Sequence, residues 1–125
     1  MATLVQERAG FALLHVKSVA GQGDAAKFKT ELKDLPARLH TAGLAQTMAT
    51  CLAEGDGSVR VRIYEWLEEW LRRPPVSLPA ESTLMESIVG ASPDARFDPE
   101  IKYREASEEA RAIAVWLKKF AEAFL

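Results

Sequence analysis

From Tyr103 to Leu125 the chain reads YREASEEARAIAVWLKKFAEAFL. Tyr103, Ala106, Ala110, Ile113, Leu117, Phe120 and Phe124 follow one another at steps of three and four residues, which places all of them on one side of an α-helix. Such a helix is roughly 33 Å long at about 1.5 Å per residue. An apolar strip of that length is larger than a soluble monomer usually leaves uncovered. The rest of the chain, or another subunit, must therefore supply helices to cover it.

The preceding segments have the period to do so. In TLVQERAGFALLHVKSVAG, Leu4, Val5, Phe11, Ala12, Val16 and Val19 share one broad helical face, and Gly21 follows the pattern to end it. GDAAKFKTELKDLPARL restarts the period with Asp24 as N-cap, and Ala25, Phe28, Leu32, Leu35 and Leu39 hold it across Pro36. Proline lacks the donor and clashes one turn back, so Pro36 is expected to kink or break this helix, with residues 36–42 forming a short piece that Gly43 interrupts before LAQTMATCLAEG. EGDGS is a turn, after which Ser58 can cap a helix whose Val59, Ile63, Trp66, Leu67 and Trp70 share a face. Residues 73–80 form a proline-rich internal linker within RPPVSLPAES, and a short helix is expected near ESTLMESIVG. SPDARFDPE reads as a loop. The final helix starts with Asp98 as N-cap and Pro99 at its first position, or alternatively at Ser107 with Glu108 and Glu109 in the first turn.

No segment sustains strand alternation; VRVRIY does so only briefly, and its longer context is helical. The expectation is an all-α, single-domain bundle of about five to seven helices over residues 1–125, without a repeat of fixed period. The longest apolar runs, FALLHV and AIAVWL, fall well short of the roughly 20 residues that cross a bilayer, and the N-terminus has no basic-then-apolar leader pattern, so a cytoplasmic protein with no membrane partner is expected. Cys51 is the lone cysteine and sits in QTMATCLA, where a small buried apolar residue is the expectation.

The chemistry-bearing patterns are few. GQGDAAK imitates a dinucleotide fingerprint, but that motif needs a strand before it and here a helix precedes it. His15 and His40 are the only histidines, no metal-ligand spacing exists, and there is no G-x-S-x-G elbow, so neither a cofactor nor an active site is expected. Trp66 and Trp70 are assigned to the core rather than to base stacking, since they lie one turn apart on the apolar face. Arg8 and His15 fall at the centre of the first helix's apolar face. They are either core-edge residues with polar tips that find a partner, or part of a subunit contact together with Leu4 and Phe11.

A formal net charge of −2 argues against a globally basic nucleic-acid binder, yet it conceals where each sign lies. Residues 81–98 carry Glu81, Glu86, Asp94 and Asp98 against Arg96, whereas KFKTELKDLPARLH carries Lys27, Lys29, Lys33 and Arg38 against Glu31 and Asp34. On the closing helix Arg104, Arg111 and Lys118 recur every seven residues, a line able to lie along phosphates, with Lys119 beside it. Glu108 and Glu122 at i,i+4 spacing offer the competing account of solvated intrahelical ion pairs.

Three segments, LPARLHTAGLAQTMATCL, YEWLEEWL and above all KYREASEEARAIAVWLKKFAEA, resemble the small subunit of the type III-B CRISPR Cmr effector complex. The likeness covers most of the chain, is strongest over residues 102–123 and thins from Arg73 to Pro99. The resemblance implies an all-helical protein without enzymatic activity that serves antiviral defence. Its partners would be the other Cmr subunits, copies of itself in an inner filament, and the guide RNA and target RNA within the complex. Lys102, Tyr103, Arg104, Trp116, Lys118, Lys119 and Phe120 match the family's closing motif, which implies packing for Tyr103 and Phe120 and RNA or subunit contact for the cations. The opposing reading, from another class, is a free-standing helical adaptor that binds only protein.

Overall fold

A computed structural model describes residues 2–90 and 98–125. Its helices are α1 (Leu4–Val19), α2 (Ala25–Ala42), α3 (Leu44–Leu52), α4 (Val59–Leu71), α5 (Leu84–Ile88) and α6 (Pro99–Phe124), and no strand occurs among the described residues. The all-α expectation holds. Most of the loop expected over SPDARFDPE lies outside the described residues.

Helix starts follow local chemistry. Thr3 and Gln6 close a capping box on α1, Ser58 accepts from the Val61 amide at the head of α4, and Thr83 with Glu86 caps α5. The Asp98 carboxylate accepts from the amides of Glu100 and Ile101, which selects Asp98 over Ser107 as the start of α6. Asp24 occupies the N-cap position of α2 but makes no capping bond; its carboxylate instead meets Arg62 of α4 at 3.1 Å.

Of the kink or break expected at Pro36, the break does not occur: α2 runs on through it, and the separate helix expected over 36–42 does not form. One backbone bond is forfeited there, but Leu32, Leu35 and Leu39 stay on one buried face across it, and packing of that face outweighs a local penalty of about 3 kcal/mol. The break comes at Gly43, whose φ of +84° turns the chain into α3. There the Tyr103 hydroxyl of α6 accepts from the Ala45 amide at 3.3 Å, so the start of α6 caps α3 from outside.

α6 is the spine. Ala106, Ala110, Ile113, Ala114, Leu117 and Ala121 are buried against α1 and α2, with Phe11, Val16, Phe28, Leu32, Met48, Leu67 and Trp70 completing one apolar cluster. Tyr103 and Phe120 are only partly buried and Phe124 is 48% exposed, so the seam read from the sequence does not stay inside along its whole length. A straight helix drifts by about 20° per seven residues relative to a three-four row. Toward the C-terminus the buried row therefore passes to Ala114 and Ala121, while Trp116, Phe120 and Phe124 come to the edge, where Lys17 of α1 lies over the Phe124 ring at 5.2 Å. The remaining expected core residues Leu39, Cys51, Ile63 and Trp66 are buried.

The proline-rich stretch is packed inward. Val76 and Leu78 are buried in the core, the Leu78 amide donates to Leu71, and Lys102 Nζ donates to the Val76 carbonyl at 2.8 Å. Arg72 holds the Ser82 carbonyl, and Glu68 and Tyr64 accept from the Leu84 and Met85 amides at the head of α5.

Candidate nucleic-acid and subunit interface

Of the polar residues at the centre of α1, Arg8 is satisfied within the chain, whereas His15 Nε2 is buried without a hydrogen bond, 3.4 Å from a Glu69 carboxylate oxygen. Arg8 makes a two-pronged contact with Glu109, Nε to Oε1 at 2.6 Å and Nη2 to Oε2 at 2.7 Å, and the Trp70 indole donates to Glu109 Oε1 at 3.1 Å. Phe11 is buried and His15 lies between the rings of Phe11 and Trp66, at 4.4 and 5.0 Å. The Arg8 tip thus finds its partner inside the chain, as the core-edge reading has it.

These groups set the response to acid. Hydrogen bonds from Arg8 hold the Glu109 carboxyl below the usual carboxylate range despite burial. Burial would raise Glu31, but bonds from Arg60 and Arg38 outweigh it and lower it. Burial pushes the His15 imidazole below its ordinary value, against an opposing pull from Glu69. An imidazole whose folded value is lowered takes up its proton first in the unfolded chain, so stability declines as pH drops below about 6.5 until the folded value is passed. A carboxylate whose folded value is lowered contributes stability above about 4.5 that is lost as pH falls through the folded value. Melting followed from about pH 8 to pH 3 is therefore expected to fall in two stages, and His15→Phe is expected to remove the upper one only.

The cations singled out in the sequence divide into four groups. At about 100° per residue, Lys29 and Lys33 fall on one flank of α2 with His40, whereas Lys27 and Arg38 fall on the other. On the second flank, toward α4, Arg38 is engaged, binding Glu31 at 2.6 Å and approaching Asp34 at 3.7 Å, and Arg60 binds the same Glu31 at 3.0 Å, while Lys27 has no ion-pair partner among the described residues. An open groove of about 420 Å³ runs there past Lys27, Glu31, Glu54 and Arg60. A smaller cavity of about 100 Å³ lies below it, lined by Leu35, Thr47, Ile63 and Cys51 among others, and burial there pushes the Cys51 thiol up.

On α6, Arg104, Arg111 and Lys118 drift by about 20° per step and form one row outside the core face. The neighbouring edge of α6 is the one from which Tyr103 reaches Gly43, at the end of α2. α2 and α6 pack along a shared seam, and helical phase puts the α6 row at one margin of α6's packed face and Lys29, Lys33 and His40 at one margin of α2's. Among the described residues Lys29, Lys33, Arg104, Arg111 and Lys118 have no ion-pair partner, and the ion pair within α6 joins Lys102 to Glu105 at 3.3 Å. The intrahelical pairs with Glu108 and Glu122 are not formed. Lys119 points away from the seam, 5.7 Å above the Trp116 ring.

Nothing in the local pattern marks the guanidinium groups contributed by α4 and the turn after it. Arg62 lies 4.7 Å from the Phe28 ring, and Arg73 lies over both Phe11 and Trp70 at 5.6 and 5.2 Å. The Phe28 and Phe11 rings come from α2 and α1, distant in the chain, so neighbouring residues carry no signal of these contacts. Among the described residues, no group of three or more His, Cys, Asp or Glu side chains could hold a metal ion, and no helix is long and apolar enough to cross a membrane.

A family model described as CRISPR-associated protein (Cas_Cmr5) matches residues 4–124. No curated protein matches the chain.

Proposed function

The chain belongs to the CRISPR-associated Cas_Cmr5 family and so is a subunit of the Cmr complex that associates with its sister subunits, and from that premise we propose that it is a non-catalytic component of the type III-B assembly, acting in antiviral defence. In this reading copies of the chain line up as an inner filament beside the guide RNA and target RNA duplex, in the cytoplasm. The observation that carries the RNA contact is the set of cations on α2 and α6 beside their shared seam: among the described residues they have no carboxylate within ion-pair distance and are available to neutralise phosphates and release counterions. Cations already bound to carboxylates, such as Arg38, gain little by exchange.

A non-catalytic role is supported by how the reactive groups are engaged. Glu109 is bound by Arg8 and Trp70, His15 is enclosed by two rings, and the Cys51 thiol is buried with its ionisation disfavoured. None of them is presented to a substrate with a base and an orienting group around it.

Arg111→Glu with Lys118→Glu tests the seam. Arg111 is exposed and Lys118 lies outside the core, so melting is expected to stay within about 0.5 kcal/mol of the parent. Target RNA binding by complexes reconstituted with the variant is expected to weaken and its salt dependence to flatten, by about one unit of log–log slope for each phosphate no longer neutralised. Lys119→Glu, off the seam, is the control for charge alone. Unchanged RNA binding and salt dependence, with subunit association reduced instead, would favour the adaptor that binds only protein.

A further inference from the structure

The face of α1 that points away from the core has a pattern of its own. Thr3, Glu7, Gly10, Leu14 and Lys17 succeed one another at steps of four, three, four and three, so they share one exposed side of the helix. Leu14 is 69% exposed, the largest exposure among the big apolar side chains described. Gly10 stands in the middle of this helix although glycine disfavours a helix interior relative to alanine, and an added Cβ there would meet nothing within 4 Å. The chain's own packing therefore does not require glycine at this position. A shallow notch beside an unpaired leucine is what a knob from another helix would fill.

The charges identify the occupant. Among the described residues neither Glu7 nor Lys17 has an ion-pair partner, and Lys17 lies over the Phe124 ring, so this side of the helix carries one charge of each sign at its two ends. In an antiparallel pairing of two copies about a two-fold axis near residue 12, each position i faces position 24 − i. Glu7 then faces the partner's Lys17, and Leu14 faces the partner's Gly10. The same register satisfies both ends and fills both notches, and a two-fold contact requires this reciprocity, residue i meeting j and j meeting i.

We propose that the chain, when free of its complex, forms a two-fold dimer through the outer face of α1, with Leu14 of each copy seated on Gly10 of the other and Glu7 of each copy paired with Lys17 of the other. The face is one helix wide, so the dimer is weak and concentration-dependent. It lies on α1 and not on the α2–α6 seam, so its success or failure is separate from that of the RNA reading.

Sedimentation velocity of the full chain over a wide concentration series tests this, with far-UV circular dichroism to verify folding. A monomer–dimer equilibrium is expected. Glu7→Lys and Lys17→Glu should each raise the dissociation constant by about tenfold or more, since two attractive pairs become two repulsive ones, and the double reversal should restore it. Because a weak dimer can escape sedimentation, Glu7→Cys with Lys17→Cys supplies a second readout. The two positions are about 15 Å apart along one helix and cannot bridge within a chain, whereas in the antiparallel dimer mild oxidation should link them between copies. Absence of that crosslink, or a dimer that both single reversals leave unchanged, would overturn the proposal. So would a double reversal that fails to restore association weakened by the single ones.

Discussion

Replacing Trp70 with alanine is expected to cost about 3–5 kcal/mol of folding stability, a large share of the roughly 5–15 kcal/mol available to a domain of ordinary size. The indole is 2% exposed, lies 5.0 Å from the Phe11 ring, carries the Arg73 guanidinium above it and donates from Nε1 to Glu109. Alanine removes all of these relations and opens a void between α1, α4 and α6, where facing side chains belong to separate helices and cannot simply lean in. Trp70→Phe separates the causes: it keeps most of the ring volume and loses the hydrogen bond, so about 1–3 kcal/mol is expected for leaving part of a buried carboxylate unsatisfied. Denaturant unfolding with the slope monitored gives both values. An alanine variant within about 1 kcal/mol of the parent would show that the site collapses freely and that Trp70 is no keystone.

How far a sequence of this kind can be read follows from where each signal lives. α4 and α6 are long and periodic, and their start residues Ser58 and Asp98 act through bonds to amides within three residues, so both are legible. At Pro36 the local penalty is visible in sequence, while the compensating burial of Leu32, Leu35 and Leu39 depends on helices distant in the chain. A three-four row treated as a fixed face puts Phe120 and Phe124 inside, although the row rolls around a straight helix and reaches the edge of the core before its end. For Phe120, partial burial lowers the cost of alanine below that expected of a fully enclosed ring.

The basic residues show a different limit. Their positions on α2 and α6 are readable, but whether a cation is engaged or available is decided by tertiary neighbours. Arg38 and Lys33 look alike in KTELKDLPAR, yet Arg38 shares Glu31 with Arg60 from α4, while Lys33 lies on the opposite flank of α2 with no ion-pair partner among the described residues. Only folding sorts them into a structural ion cluster and a seam.

Glu109 makes the same point inside the core, and its removal is the second large effect expected. EEARA offers two adjacent glutamates that composition cannot distinguish, and a surface role at the start of a helix is the natural alternative. In the fold Glu108 is exposed, whereas the Glu109 side chain is 7% exposed and accepts from Arg8 of α1 and Trp70 of α4, tying three helices at one carboxylate. Glu109→Ala leaves the Arg8 guanidinium and the indole N–H without their acceptor. Breaking a buried pair from one side costs about 3–5 kcal/mol, and because the Arg8 side chain is 21% exposed and can turn toward water, the lower end of that range or somewhat less is expected. Arg8→Ala alone should be comparably harmful, since it strands the more buried charge. Replacing both, Arg8→Met with Glu109→Leu, should recover much of the loss, because an apolar pair of similar volume avoids desolvating two ions. The doubly substituted chain should also shed part of the lower stage of acid destabilisation, as residue 109 no longer has a proton to take up. If the double replacement were as unstable as the sum of the single ones, the carboxylate and guanidinium would be acting independently, and the link between α1 and α6 would have to be sought in their apolar contacts instead.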